Sequence, residues 1–342
     1  MNPLAEPLSR SPELFPHGLD LATDSLTLLR LTEEDYAKAS FLDGRLPAGM
    51  NRKTAFAEVA AAVAELPEKC DFIFHIGHVG STLVSRLLGR HPGVFALREP
   101  AVLRTLAQIR AEPERNRWSP EDFETHLSTL LRLLSRTFRA DQRAMVKMTS
   151  FVSELAPEIL ARPYRPKAIF MTVPPESYLA TILGAENSPK EAQMLADLRA
   201  RRLQRRIGGA LEPVKSMGEL VAMSWASEMC ALAAALPQSR ERILWLNFDR
   251  FLIDPAKALS DCFHHLGIEA RAERVGEILS GPDMRRYSKA QEYDYDPQLR
   301  ADVLAQAHAL HGADIADGLR WLETMGAKHP LIAAAASLAQ VS

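Results

Sequence analysis

The stretch CDFIFHIGHVGSTLVSRLLG (Cys70–Gly89) decides how this chain is read. Cys70–His78 is a short apolar run closing on a Gly-His pair, which predicts a buried strand. Ser81–Gly89 has Leu83, Val84, Leu87 and Leu88 at helical spacing and stops at Gly89 and His91-Pro92, which predicts a helix. Between them lies a tight loop carrying Gly77 and Gly80. Amides at a helix N-terminus lack intrahelical acceptors and sit at the positive end of the helix dipole. Two glycines let the backbone approach an anion with no Cβ in the way. The pattern therefore suits a phosphate or sulfate group. It departs from the nucleotide-hydrolase loop GxxxxGK[ST], because no lysine follows Gly80. The same residues also read as an ordinary strand–turn–helix capped by Ser or Thr. His75 within the strand reads as a core histidine.

Outward from this loop, strands are predicted at 94–97, 143–148, 167–173 and 242–251. Helices are predicted from Pro100, over 120–139 and over 255–266, with a mainly helical stretch at 175–237. Strands alternating with helices imply βαβ units. The expected fold is α/β, a three-layer α/β/α with a mostly parallel sheet of about five strands and a large helical insertion. Residues 1–18, with four prolines, read as a flexible arm. Residues 19–69 read as an N-terminal helical extension, 70–326 as the main domain and 327–342 as an alanine-rich tail.

Forty-one Lys and Arg against 43 Asp and Glu give a net charge of −2, so a dedicated nucleic-acid binder is not expected. Cys70, Cys230 and Cys262 form no CxxC pair and have no histidine cluster, which leads us to expect buried reduced thiols and no metal. No secretory signal and no stable membrane insertion are expected, since Leu331–Val341 falls short of the ~20 apolar residues of a span. We therefore expect a cytoplasmic protein.

The loop resembles the 5′-phosphosulfate loop of the sulfotransferase family, a basic residue followed by Ser-Gly-Thr/Ser-Thr. Here it reads His78-Val79-Gly80-Ser81-Thr82. The resemblance continues in HPGVFALREP (91–100), VKMT (146–149), Trp225 and LWLNFDRFLIDPAKALSDCFHHLGI (244–268), covering about residues 70–325. It implies sulfuryl transfer from 3′-phosphoadenosine 5′-phosphosulfate (PAPS) to a hydroxyl or amine of a small molecule, glycan, lipid or peptide, with no metal. Under it, Gly77, His78, Val79, Gly80, Ser81 and Thr82 hold the donor phosphate, with His78 where the family places Lys or Arg. Glu99 matches the base of the tyrosylprotein branch, and Lys147 matches the lysine that steadies the transferring group. By residue chemistry alone, Glu99 is equally a helix-capping or salt-bridge carboxylate, and Lys147 a lysine snorkelling to the sheet edge.

The pattern fails at FMTVPPESYLATIL (170–183), where the family's 3′-phosphate clamp has an arginine and a serine. Val173 and Thr181 stand in their places. Losing a guanidinium–phosphate contact removes about 1.5–3 kcal/mol, roughly ten- to a hundredfold in affinity. Two basic stretches are candidates to compensate: Arg199, Arg201, Arg202, Arg205 and Arg206, and the late segment Arg285, Arg286, Tyr287, Ser288 and Lys289. The rival readings are a catalytically silent or repurposed relative binding another anion, and a P-loop small-molecule kinase with Asp249 as magnesium organiser.

Overall fold

A computed structural model describes residues 5–46, 49, 51–115, 118–286 and 297–341 of the chain. It begins with helix α1 (Ala5–Arg10), then strands β1 (Leu14–Asp20) and β2 (Ser25–Arg30), helix α2 (Glu33–Lys38), strand β3 (Asn51–Ala55) and helix α3 (Phe56–Ala62). The three strands form an antiparallel sheet in the order β1-β2-β3. Over the described residues this corrects two expectations, the flexible arm expected at 1–18 and the helical character expected at 19–69. The hairpin has a local cause in the acidic turn between β1 and β2. The Asp20 carboxylate accepts from the Ala22 and Thr23 amides at 3.0 and 3.3 Å, and Asp24 takes a left-handed φ of 42°. The arm is held from the other side. Leu8 and Phe15 are fully buried, and the buried Arg136 guanidinium donates to the carbonyls of Leu8, Ser11 and Leu14 at 3.2, 3.0 and 2.7 Å.

The second sheet is parallel, in the order β5-β6-β4-β7-β8. Its strands are β4 (Asp71–His75), β5 (Val94–Arg98), β6 (Arg143–Lys147), β7 (Ala168–Thr172) and β8 (Ile243–Asn247). Each lies within a predicted strand, except that β5 runs one residue longer. All residues of β4, β5 and β7 are buried, as a sheet covered on both faces requires. The predicted strand over 242–251 is halved. The Asn247 side chain accepts from the Asp249 and Arg250 amides at 2.9 and 3.2 Å, ending β8 and capping the next helix.

Helix α4 (Ser81–Gly89) joins β4 to β5, and α5 (Ala101–Ala111) with α6 (Pro120–Leu134) leads to β6. A 3-10 segment (Ser150–Leu155) and α7 (Ala156–Leu160) lead to β7. Helices α8 (Pro175–Leu183), α9 (Ser188–Met194), α10 (Ala196–Ile207), α11 (Met217–Ala233) and α12 (Leu236–Ser239) then lead to β8. After β8 come α13 (Phe248–Ile253), α14 (Pro255–Leu266), α15 (Ala272–Ser280), α16 (Pro297–Lys328) and α17 (Pro330–Val341). The step β4 to β5 runs one way along the sheet and the later steps run the other. Right-handed crossovers therefore put α4 on one face and the following helices on the opposite one. The packing agrees, with α4 against α14, and α5, α7 and α11 against the 3-10 segment. β4 is thus flanked by strands whose connections leave to the other face, and the C-terminal ends beside it form the switch-point crevice where open α/β sheets take ligands.

Among the described residues, residues 217–242 form one helical stretch long and apolar enough to cross a membrane, and 78% of its apolar window is buried inside the protein. The three cysteines are buried and unpaired, and burial pushes each thiol up to about 12. Because Phe15 fixes the arm, Phe15→Ala is expected to lower the unfolding free energy by about 3–5 kcal/mol. Denaturant titration measures this, and a dispensable arm gives no change.

Candidate active site

The loop after β4 is built by backbone geometry that few side chains tolerate. Gly77 has φ 91° and Gly80 φ 65°. A Cβ at Gly80 would lie 2.0 Å from the Phe248 ring, so glycine is needed both for its φ and for this close approach. The first helical bond in α4 runs from the Val84 N–H to the Gly80 carbonyl at 3.1 Å, so the amides ahead of it have no acceptor within the helix. Ser81 and Thr82 are buried at that N-terminus. His75 secures the loop from behind. Its Nδ1 accepts from the Gly77 N–H at 3.0 Å and its Nε2 donates to the Met148 carbonyl at 2.8 Å, which fixes a neutral imidazole with the proton on Nε2. The expected core histidine is thus also a clamp between the loop and β6.

Beside the loop stand the ends of β5 and β6, paired in register at Arg98 and Lys147. Glu99 continues β5 with a left-handed φ of 55°, and its N–H donates to the Lys147 carbonyl at 2.7 Å. Lys147 is fully buried. Its ammonium forms an ion pair with the Glu99 carboxylate and reaches the Thr82 hydroxyl at 3.4 Å. One chain of contacts therefore joins the loop helix, β6 and β5. A lysine snorkelling to solvent is excluded by this burial. His78 carries the same left-handed φ of 55°, and lies at the cleft with Glu99. Non-glycine residues held there cost of order 1–3 kcal/mol each and gather at functional sites.

Of these groups His75, Gly77, His78 and Glu99 line a cavity of about 400 Å³. Gly77, His78, Glu99 and Thr149 line its sheet side, and Phe41, Tyr178, Ile182, Leu195 and Val221 its far walls. A second cavity of about 360 Å³ shares Arg45, Glu99, Arg104 and Thr149 with the first. Arg45 is held above its ordinary value chiefly by the Asp43 carboxylate, with Glu99 adding to it. Sequence reasoning gave no weight to Phe41 and Arg45, which come from the N-terminal segment and join the site only through the fold. A third cavity, of about 130 Å³, lies along β5. Its Arg86 and Arg98 guanidiniums bond carbonyls at the C-terminal end of α2.

Other expected contacts are not assembled. Val173 is buried, and its carbonyl accepts from the Trp225 indole N–H at 3.3 Å. The Thr181 hydroxyl donates to the Ser177 carbonyl at 2.7 Å within α8, and Thr181 is not among the residues lining either cleft cavity. The arginines of α10 do not form a free cationic patch. Arg202 pairs with Glu154 and Glu228 at 2.7 and 3.2 Å, Arg199 with Glu228 at 3.3 Å, Arg206 with Glu154 at 2.9 Å and Arg201 with Glu112 at 3.0 Å. Arg205 donates to the Ala111 carbonyl. Arg199 alone of the five lines the cleft. Asp249 sits in α13 rather than on a core strand, paired with Arg300 at 2.7 Å. Arg285 and Arg286 are exposed, and Tyr287, Ser288 and Lys289 lie outside the described residues.

No protein-family model and no curated protein matches this chain. Solved structures that it resembles include sulfotransferases. The sulfotransferase domain of the curacin biosynthetic pathway is 16% identical, over 68% of this chain and 86% of that one, with a TM-score of 0.40. The sulfotransferase domain of the Synechococcus PCC 7002 olefin synthase is 15% identical, over 76% and 95%, with a TM-score of 0.42. Mouse sulfotransferase SULT7A1, solved with PAP, is 11% identical, over 77% and 89%, with a TM-score of 0.38.

Two outcomes follow from this geometry. Gly80→Ala places a methyl group in the Phe248 ring at a left-handed φ. It is expected to lower the melting temperature, readable by thermal shift. Burial alone would raise the Glu154 carboxyl, but Arg202 and Arg206 outweigh it and hold it below the usual carboxylate range. A depressed folded-state pKa stabilises fully above the unfolded value of about 4.3 and is lost as pH falls through the folded one. Acid unfolding below about pH 4.3 should therefore show a limb that Glu154→Gln abolishes.

Proposed function

We propose that this protein is a sulfotransferase that moves a sulfuryl group from PAPS to an acceptor hydroxyl. The observation that carries this reading is the Thr82–Lys147–Glu99 chain of contacts, which sets a cation and a carboxylate beside an anion-ready loop at the sheet's switch point. In this reading the amides of Gly80 to Thr82 and the Ser81 and Thr82 hydroxyls hold the donor's 5′-phosphate and meet the charge that grows on it. His78 lies at the loop's open side. Lys147 neutralises the sulfuryl oxygens, leaving the Glu99 carboxylate to accept the acceptor's proton. The acceptor oxygen forms a bond to sulfur and the bond from sulfur to the 5′-phosphate oxygen breaks. The products are a sulfate ester, adenosine 3′,5′-bisphosphate and protonated Glu99, which returns its proton to water. No metal takes part.

The arrangement of Val173 and Thr181 favours a second reading, a repurposed relative whose loop grips a nucleotide without a 3′-phosphate. Calorimetry separates the two. A sulfotransferase is expected to bind adenosine 3′,5′-bisphosphate in the micromolar range and AMP at least tenfold more weakly, whereas equal affinities favour the repurposed relative. With [35S]PAPS and a panel of phenolic and aliphatic alcohols, Glu99→Gln should retain bisphosphate affinity and lose at least about a hundredfold in turnover, the low end for general-base removal. Undiminished turnover assigns the base elsewhere.

A further inference from the structure

We propose that the acceptor is a hydroxylated small molecule carrying an acidic group, and that Arg104 and Thr149 bind that group beside Glu99. This inference rests on the sulfotransferase reading above. Arg104 and Thr149 belong, with Arg45 and Glu99, to the set of residues common to both cavities, so they stand at the neck where the two meet. The other cations at this neck and along the larger cavity are already answered, Arg45 by Asp43 and Arg199 by Glu228. Arg104 makes no ion pair or hydrogen bond among the described residues. It is the fourth residue of α5, near the positive end of that helix, where a cation weakens rather than supports the helix. The fold thus gains nothing evident from a charge at this position.

Thr149 gives the independent second observation. Its hydroxyl oxygen is buried and has no hydrogen-bond partner, although the residue lines both cavities. An unmade bond of this kind is unfavourable, a cost removed when a ligand oxygen arrives. A guanidinium and a hydroxyl donor together are suited to a carboxylate or another oxyanion. Among the described residues lining the two cavities, the carboxylate without an ion pair is Glu191, and it lines the larger cavity only. The acidic group therefore belongs at the neck, with the body of the molecule against Phe41, Tyr178 and Ile182. A cleft of about 400 Å³ fits a small molecule.

The test compares 4-hydroxybenzoate with 4-hydroxybenzyl alcohol, which share ring and hydroxyl and differ in charge. Binding of each is measured by calorimetry, with and without saturating adenosine 3′,5′-bisphosphate. The wild-type protein is expected to prefer the carboxylate at least tenfold. Arg104→Gln should bring that ratio near one, Arg104→Lys should keep part of it, and none should alter bisphosphate affinity. Thr149→Val should reduce the ratio a few-fold with an unchanged or raised melting temperature, because it removes an unsatisfied hydroxyl. Equal binding of the two compounds, no binding of the carboxylate, or a ratio untouched by Arg104→Gln overturns the proposal. Failure of the bisphosphate to bind, with the ratio and its Arg104 dependence intact, refutes the donor assignment and leaves the acidic-ligand site standing.

Discussion

A fully buried ammonium needs a counter-charge, and in this protein Lys147 finds it in Glu99. An ion pair out of water is a poor source of stability, since desolvation offsets its attraction, but removing one partner leaves an uncompensated charge. The pair therefore constrains more than it stabilises. It fixes the ends of β5 and β6 relative to each other and, through the Thr82 hydroxyl, relative to the first turn of α4. The left-handed turns at His78 and Glu99 fit the same constraint, each turning the chain abruptly where a strand ends.

Much of this arrangement was legible in the sequence because it is local. The apolar run through Phe72 and Phe74, the glycines at 77 and 80 and the helical spacing from Leu83 to Leu88 each report a nearby backbone preference, and the strand–loop–helix appears where they put it. Glu99 and Lys147 were legible as candidates by resemblance, while their direct contact depends on strand order, which periodicity does not encode. Thr181 shows the limit of carrying a motif over residue by residue. The hydroxyl is present, but its own helix already supplies a carbonyl for it.

The N-terminal fifth departs from its reading for a different reason. Its prolines and short apolar pieces give no long period, so local signals favoured an arm and loose helices. The sheet there is specified by the Asp20 turn and by Arg136, which collects three carbonyls from more than a hundred residues away. The α10 arginines misled in the opposite direction. As a string they look like a cationic face, whereas Glu154 and Glu228, distant in sequence, turn them into the interior fastening of the helical layer.

That fastening has a consequence for how such a protein diversifies. The loop and its ion pair are supported from β4, β5, β6 and α4, while several residues walling the cleft belong to α8, α9 and α11, and α11 is fastened to α10 through carboxylate–guanidinium contacts. The loop with its ion pair and the far wall of the cleft are thus encoded in different stretches of chain. A graft that exchanges the helical stretch while keeping Glu154, Glu228 and their arginine partners can reshape the cleft wall and leave the loop intact.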